Sequence, residues 1–288
     1  HHPPLLFAPL PPGQAPHVLR GARWGVPLGV DQPLIDSLWE GLTDKGAGCP
    51  MAITAENLAE QYDISKEECD AYAFRSQQAW KSAHEAGRFA AEMAPMEIKG
   101  KKGKVSVLEH DEHARPDAAL EAIAKLPALF KKGGVVSAGN ASGISDGAGA
   151  LIVASEEAVN KHGLTPLARL VDSVSAGVDP TIMGIGPVPA IRSILERNNL
   201  AIGDIDRVEI NEAFAAQFLS CEKELGLDRE KTNVNGGAIA LGHPTGASGA
   251  RIIAHLVHEM QANPDLKHTI GSACIGGGQG IALLLERV

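Results

Sequence analysis

Apolar and polar positions repeat with two different periods along this chain, and the change falls near residue 136. Before it the spacing is helical. From Ser65 to Ala86, Ala, Tyr, Phe and Trp recur at helical intervals behind a capping box, Ser65-Lys66-Glu67-Glu68, which predicts a long helix ending at Gly87. Thr54 to Asp63, opening on a Thr-x-Glu pattern, predicts a shorter one. The remainder to residue 135 reads as loop and short strand, broken by Pro95, Pro116 and Pro127. After 136, short apolar runs alternate with amphipathic segments. Gly149 to Ala154 predicts a buried strand, Leu167 to Val174 a second, and Arg207 to Ile210 a third that runs straight into Asn211. Thr269 to Cys274 and Gly280 to Leu285 predict strands on either side of a glycine turn. Val188 to Asn199 and Ser248 to Gln261 predict helices, the latter with Ile252, Ile253, Leu256, Val257 and Met260 on one side. Strands alternating with helices imply an α/β fold.

Composition narrows the function classes. The 288 residues can bury a good core, and a net charge of −9 argues against a general nucleic-acid binder, which needs a basic face. The basic runs Lys99-Gly100-Lys101-Lys102-Gly103-Lys104 and Phe130-Lys131-Lys132 read as solvated surface. Cys49, Cys69, Cys221 and Cys274 show no paired spacing, which predicts a reducing compartment and no structural disulfide. No apolar run approaches the ~20 residues that span a bilayer, so no stable membrane insertion is expected. The first residue is His rather than Met, and residues 1–12 carry neither period nor the basic, Ser-rich character of a transit peptide.

Candidate chemistry gathers in three glycine-flanked loops. Residues 233–249, Asn-Val-Asn-Gly-Gly-Ala-Ile-Ala-Leu-Gly-His-Pro-Thr-Gly-Ala-Ser-Gly, hold one imidazole, His243, on a turn. Ser272-Ala-Cys274-Ile-Gly276-Gly-Gly-Gln-Gly280 puts a thiol at the end of a strand facing glycines, and Asn211-Glu-Ala-Phe214 puts an amide at the end of another. A His, a Cys and an Asn so placed form a nucleophile-and-oxyanion constellation. Each has a plainer alternative: a small core cysteine, a loop histidine capping a carbonyl, a turn-forming asparagine. Glu212 reads as a loop anchor. His255 and His258, three apart on the last helix, read as surface histidines, and no metal site is expected. Gly184-x-Gly186 lacks the third glycine and the strand context of a dinucleotide fingerprint.

The motifs Asn-Glu-Ala-Phe, Gly-Gly-Ala-Ile-Ala-Leu-Gly-His-Pro and Cys-Ile-Gly-Gly-Gly-Gln-Gly stand in the order and spacing of the thiolase family, which this chain resembles from about Gln14 to Val288, most closely its mitochondrial β-oxidation members. The resemblance implies a layered αβαβα fold of two similar halves. The C-terminal half, 167–288, is then whole. Residues 14–166 hold a helix-rich loop domain and the remainder of a truncated N-terminal half, and 1–13 stay unassigned. It implies an acyl-CoA C-acyltransferase that cleaves 3-ketoacyl-CoA with CoA, an acetoacetyl-CoA thiolase and an inactive CoA-binding or assembly subunit being the alternatives. Cys274 becomes the acid/base thiol, His243 the base for the nucleophilic thiol and an oxyanion donor, Asn211 the holder of a water, and Gly276 N–H part of a second oxyanion hole. Met51, Ala138, Ser142 and Phe214 become contacts to the acyl or pantetheine channel, and Arg115 a contact near adenine. CoA and acyl-CoA are substrates, with no resident cofactor, and a homodimer or homotetramer of full-length chains in the mitochondrial matrix is expected. The family's acyl-carrying cysteine is expected upstream of His1; Cys49, two residues before Met51, is the one internal substitute worth weighing.

Overall fold

A computed structural model describes residues 17–19, 34–100 and 103–288 of the chain. In chain order the elements are β1 (His17–Leu19), β2 (Leu34–Asp36), α1 (Ser37–Gly41), β3 (Thr43–Asp44), β4 (Cys49–Pro50), α2 (Met51–Gln61), α3 (Lys66–Glu85), β5 (Met96–Lys99) and β6 (Val105–Leu108). There follow α4 (Leu120–Ala124), α5 (Glu156–His162), β7 (Arg169–Gly177), α6 (Pro187–Arg197), β8 (Arg207–Ile210), α7 (Ala215–Leu225), α8 (Ala238–Leu241), α9 (Ser248–Ala262), β9 (His268–Ile275) and β10 (Gln279–Glu286).

The local signals that carry their own hydrogen bonds set the boundaries. Helix α3 starts where the capping box predicts: Ser65 Oγ accepts from Glu68 N at 3.1 Å, and Ser65 N donates to Glu68 Oε2 at 2.8 Å. The helix α2 begins three residues earlier than its Thr suggests. Pro50 supplies the extended N-cap, and Thr54 Oγ1 turns back to donate to Met51 O at 2.6 Å.

One four-stranded mixed sheet, in the order β7-β10-β9-β8, organises the C-terminal half. β10 runs antiparallel to both neighbours, and β8 runs parallel to β9. Alternation along the strands presents Val208, Ile210, Ile270, Ala282 and Leu284 to the main core, shared with Ile191 and Ile194 of α6 and Phe218 of α7. Helix α9 covers the other face through Ile252, Leu256 and Met260, which cluster with Leu266 and Leu285. Helices α2 and α3 add a further layer: Leu58 and Tyr72 join the same main core, and Tyr72 stacks on Phe218 with ring centroids 4.3 Å apart. The two parallel strands end side by side, and the backbone N–H of Asn211 continues the ladder to Ser272 O at 2.9 Å. That register delivers the loop after β8 and the end of β9 to one place.

One expected strand does not form. Residues 149–154 are exposed, with Ile152 93% and Val153 82% accessible, and no strand among the described residues pairs with them. An apolar run becomes a strand only when a neighbour takes its N–H and C=O groups.

The Gly184-x-Gly186 motif has a packing role. Gly186, the N-cap of α6, lies against the Gln279–Gly280 backbone so closely that a Cβ on Gly186 would overlap Gln279 O, and one on Gly280 would overlap Gly186 C and O. Backbone cannot step aside as a side chain can. Gly186→Ala is therefore expected to destabilise the fold by about 2–3 kcal/mol in urea unfolding. Gly203→Ala, where an added Cβ meets nothing within 4 Å, is expected to change stability by less than about 0.5 kcal/mol.

Candidate active site

Four chain segments meet at the ends of β8 and β9. Ala141 bridges to Phe214, and Ile144 bridges to His243. Ser142 donates through both N and Oγ to Ala213 O at 3.0 Å, and His243 N donates to Gly143 O at 2.8 Å. The loop 137–145 is thereby sewn to the Asn211 loop on one side and the His243 loop on the other. Met51, at the start of α2, brings its Sδ within 3.4 Å of where a Cβ on Gly276 would stand.

His243 is held from two elements. Its Nε2 lies 3.3 Å from Asn211 Nδ2, and its Nδ1 lies 2.6 Å from Ser248 Oγ in the first turn of α9. Ser248 Oγ also reaches Pro244 O at 3.2 Å. A hydroxyl has one hydrogen, so donation to Pro244 O leaves Ser248 to accept from Nδ1–H. Nε2 is then unprotonated and accepts from Asn211 Nδ2, and it is the ring atom a general base uses. Burial, with the Arg251 charge adding to it, holds the His243 pKa below the ordinary imidazole value, so the ring is neutral near pH 7. Asn211 is 1% exposed, and its Oδ1 is buried without a hydrogen-bond partner among the described residues. That is an acceptor still to be met.

Cys274 pairs with Gly280 near the end of β9 and lies on the same strand face as Ile270 and Ser272. Burial pushes its thiol up to about 12. Beyond it Gly277 and Gly278 take φ of 89° and 83°, left-handed backbone that lets β9 turn directly into β10.

The scaffold of the site converges on Glu212, which is 0% exposed. Its carboxylate accepts from Tyr72 Oη at 2.7 Å, Ser76 Oγ at 2.7 Å, Asn233 Nδ2 at 3.1 Å and Ile239 N at 3.1 Å. Asn233 in turn brackets Ile210, donating to its O and accepting from its N, both at 2.9 Å. A Cβ on Gly237 would overlap the Glu212 carboxylate, which is why the loop carries glycine there. Glu212 anchors the loop, as its sequence context predicts.

The structure places the other candidates as follows. Ser142 and Ala138 lie on the 137–145 loop, and Phe214 caps α7 and packs on the main core. Arg115 spends its Nη1 on its own turn, donating to the carbonyls of Glu112, His113 and Ala114 at 3.0, 2.8 and 3.1 Å. Cys49 lies in β4 with its pKa raised by burial and by Asp44. Cys69 is buried in α3 with its thiol pushed up to about 12, and Cys221 is buried in α7, donating to Gly184 O at 3.4 Å. His255 is not the surface histidine expected: it is 4% exposed and bonded to Glu92, because the α9 face that bears it is turned inward. Two site residues escaped sequence reasoning. Ser248 had a usable signal, a hydroxyl one helical turn after a Gly-His-Pro turn. His113 had none; its Nδ1 contacts Ala240 O at 3.0 Å, and its ring stands against Gly143. A cleft of about 380 Å³ is lined by Ser145, Asp146, Pro244, Thr245 and Gly246, the last three directly following His243 in the chain. Among the described residues no group of three or more His, Cys, Asp or Glu could hold a metal ion.

Comparison with known proteins bears on this arrangement. Residues 13–157 match the family described as thiolase, N-terminal domain, and residues 164–287 the thiolase, C-terminal domain. The chain is 59% identical over 273 residues to the mitochondrial 3-ketoacyl-CoA thiolases of Mus musculus and Homo sapiens, covering 95% of this chain and 68% of each relative. The crystal structure of human mitochondrial 3-ketoacyl-CoA thiolase superposes with a TM-score of 0.91 at 58% identity, over 96% of this chain and 69% of that one. The same human protein in complex with CoA gives a TM-score of 0.89.

The Glu212 network generates a direct test. Glu212→Gln keeps the volume but removes the charge that four donors face, and a hydrogen bond to a charged group contributes about 1.5–3 kcal/mol. The variant is expected to lose about 3 kcal/mol in urea unfolding, and Tyr72→Phe, which removes one donor, about 1–2 kcal/mol. Equal, negligible losses in both would mean that the carboxylate does not organise these segments.

Proposed function

This chain belongs to the thiolase family, and on that premise we propose that it is an acyl-CoA C-acyltransferase of fatty-acid β-oxidation. It cleaves 3-ketoacyl-CoA with CoA to give acetyl-CoA and a shortened acyl-CoA. The observation that carries the reading is the His243–Asn211 pair at 3.3 Å, built on loops that also bring up the end of β9 with Cys274.

Cleavage breaks a carbon–carbon bond, and the electron pair leaves on the acetyl-CoA fragment as an enolate. Its carbon needs a proton and its oxygen needs donors. Cys274, with its thiol pushed up to about 12, keeps its proton near neutral pH and gives it to that carbon. In the reverse direction the thiolate removes the same proton. A water seated on the unmet Asn211 Oδ1 donates to the thioester oxygen, and Gly276 N–H supplies a donor to a second oxyanion. The acyl carbon forms its new bond to the sulfur of the attacking thiol, whose proton His243, neutral and unprotonated at Nε2, takes, and the acyl group then passes to CoA. Met51, Ala138, Ser142 and Phe214 line the approach for pantetheine in this reading; Arg115 reaches adenine only if it leaves its own carbonyls. CoA is a substrate, and no resident cofactor is invoked. The mitochondrial relatives support a mitochondrial location, and the exposed Leu151, Ile152 and Val153 support association into a homodimer or homotetramer.

A second reading, CoA binding without turnover, rests on the cysteines. The acyl group must be carried by a thiolate served by His243, and burial disfavours the thiolate at Cys49, Cys69 and Cys221.

Exchange of the α-protons of acetyl-CoA in deuterated water tests the half of the chemistry assigned to Cys274. The chain is expected to catalyse it, and Cys274→Ala to reduce it by about 100-fold or more. CoA titration by calorimetry runs beside it. Binding without exchange favours the second reading, and a folded chain that does neither sinks both.

A further inference from the structure

Helix α9 turns three ionisable side chains, Arg251, His255 and Glu259, toward β8 and the 233–237 loop at successive four-residue steps. The middle one is the histidine that the proposed mechanism does not use. His255 Nδ1 lies 2.8 Å from Glu92 Oε1, on the turn after α3, and His255 Nε2 lies 3.1 Å from Asn235 Nδ2. The same Asn235 nitrogen lies 2.9 Å from Glu259 Oε1. His255, Asn235 and Glu259 are 4%, 8% and 5% exposed, so solvent does not substitute for these contacts.

Hydrogen-bond direction makes this cluster two-state. The contact with the Glu259 carboxylate needs an N–H, so the amide nitrogen, not its oxygen, faces Glu259. Its second hydrogen faces His255, and Nε2 must accept it. Nδ1 then carries the proton and donates to Glu92. A proton arriving on Nε2 would set two donors against each other. The ring can hold it only if the Asn235 amide turns over, and Oδ1 then opposes Glu259 until that carboxylate is protonated too.

We propose that His255 is a positioning residue whose protonation turns the Asn235 amide and so loosens the loop that carries His243. The loop has little slack. Asn233, two residues before Asn235, brackets Ile210 just ahead of Asn211, and Gly237, two residues after it, donates to Ser76 Oγ at 3.1 Å and opens the turn into α8 and His243. Helix α9 also carries Ser248, the partner of His243 Nδ1.

The charges around His255 favour its protonated form. Burial works against its charged form, but the Glu92 hydrogen bond and the Glu209 charge outweigh burial and raise its pKa above the ordinary imidazole value. Glu209, on β8, is itself pushed up to about 7 by burial and sits 3.7 Å from Arg251 Nη1. Arg207 lies 3.6 Å from Glu259, the Glu212 charge acts on Glu209, and Asp111 interacts with both Arg251 and Glu92. Phe89 closes the cluster, with its ring 5.8 Å from that of His255.

Two readouts of opposite sign follow. A raised pKa means that His255 adds global stability below its unfolded value, and that this contribution is lost as pH rises through the folded pKa. The Asn235 contact, by contrast, is complete only above that pKa. Between about pH 5.5 and about pH 8, amide protection of residues 233–242, corrected for intrinsic exchange, is expected to rise about tenfold in the full chain. The stability difference between it and His255→Gln falls over the same range. His255→Gln should abolish the rise in protection, and His258→Gln should leave it intact. The ¹⁵N shifts of the His255 ring should show a protonated Nδ1 and a bare Nε2 above the transition. Protection that does not change with pH, the same rise in His255→Gln, or the opposite tautomer would each overturn the proposal. The ring shifts decide it in the unsubstituted chain even if His255→Gln fails to fold. Its catalytic consequence rests on His243 acting as the base, but neither readout needs turnover, so the two ideas can fail separately.

Discussion

The carboxylate of Glu212 is the constraint on which the rest of the site depends. A buried carboxylate costs several kcal/mol unless donors replace its water. Here the donors come from α3, from Asn233 on the loop between α7 and α8, and from the first turn of α8. Each of these segments is thus needed to satisfy one group, and each is fixed relative to the others by that need. Asn233 accepts a φ of 46°, unusual for a side chain other than glycine, as part of this arrangement. The distance between Asn211 and His243 is a consequence: one residue adjoins Glu212 in sequence, and the other follows the helix whose N-terminal amide Glu212 holds.

The opposite wall of the site is α9. It gives His243 its second contact through Ser248 and then runs inward over β8 and β9, apolar on one stripe and charged on the next. The His243 ring is therefore clamped between two polar networks, one centred on Glu212 and one strung along α9. Positioning of this kind is what a preorganised site requires, since dipoles that need not reorient during reaction stabilise developing charge most effectively. The two networks share the 233–237 loop, so a change in either reaches the same imidazole.

Legibility in the sequence followed the range of the interactions involved. The start of α3 could be read because its capping box is closed by residues three apart, and β8 because its alternating Arg-Val-Glu-Ile runs straight into Asn211. Residues 149–154 could not, because an apolar run states its hydrophobicity but not whether a strand lies beside it. His255 looked like a surface residue for the same reason: helical periodicity shows that a face exists, while Glu92 and Asn235, which make that face interior, come from 163 and 20 residues away. The glycine loops announced Cys274, His243 and Asn211, but Ser248 and His113 matter only through contacts formed in three dimensions.

Burial acts on the two titratable groups of the site in opposite directions and to one end. It raises the Cys274 thiol and lowers the His243 imidazole, so both rest in their neutral forms. In the proposed reaction one is then an acid holding a proton and the other a base lacking one, the pairing that cleavage of a carbon–carbon bond next to a thioester demands. In that proposed reaction, negative charge arising on the thioester oxygen would meet no anion on these two groups. Arg251, whose charge helps to keep the proton off His243, would add to the proposed reaction a positive field of the sign that favours an oxyanion. The same low-polarity surroundings that suppress ionisation at rest strengthen every dipole directed at the charge once it forms.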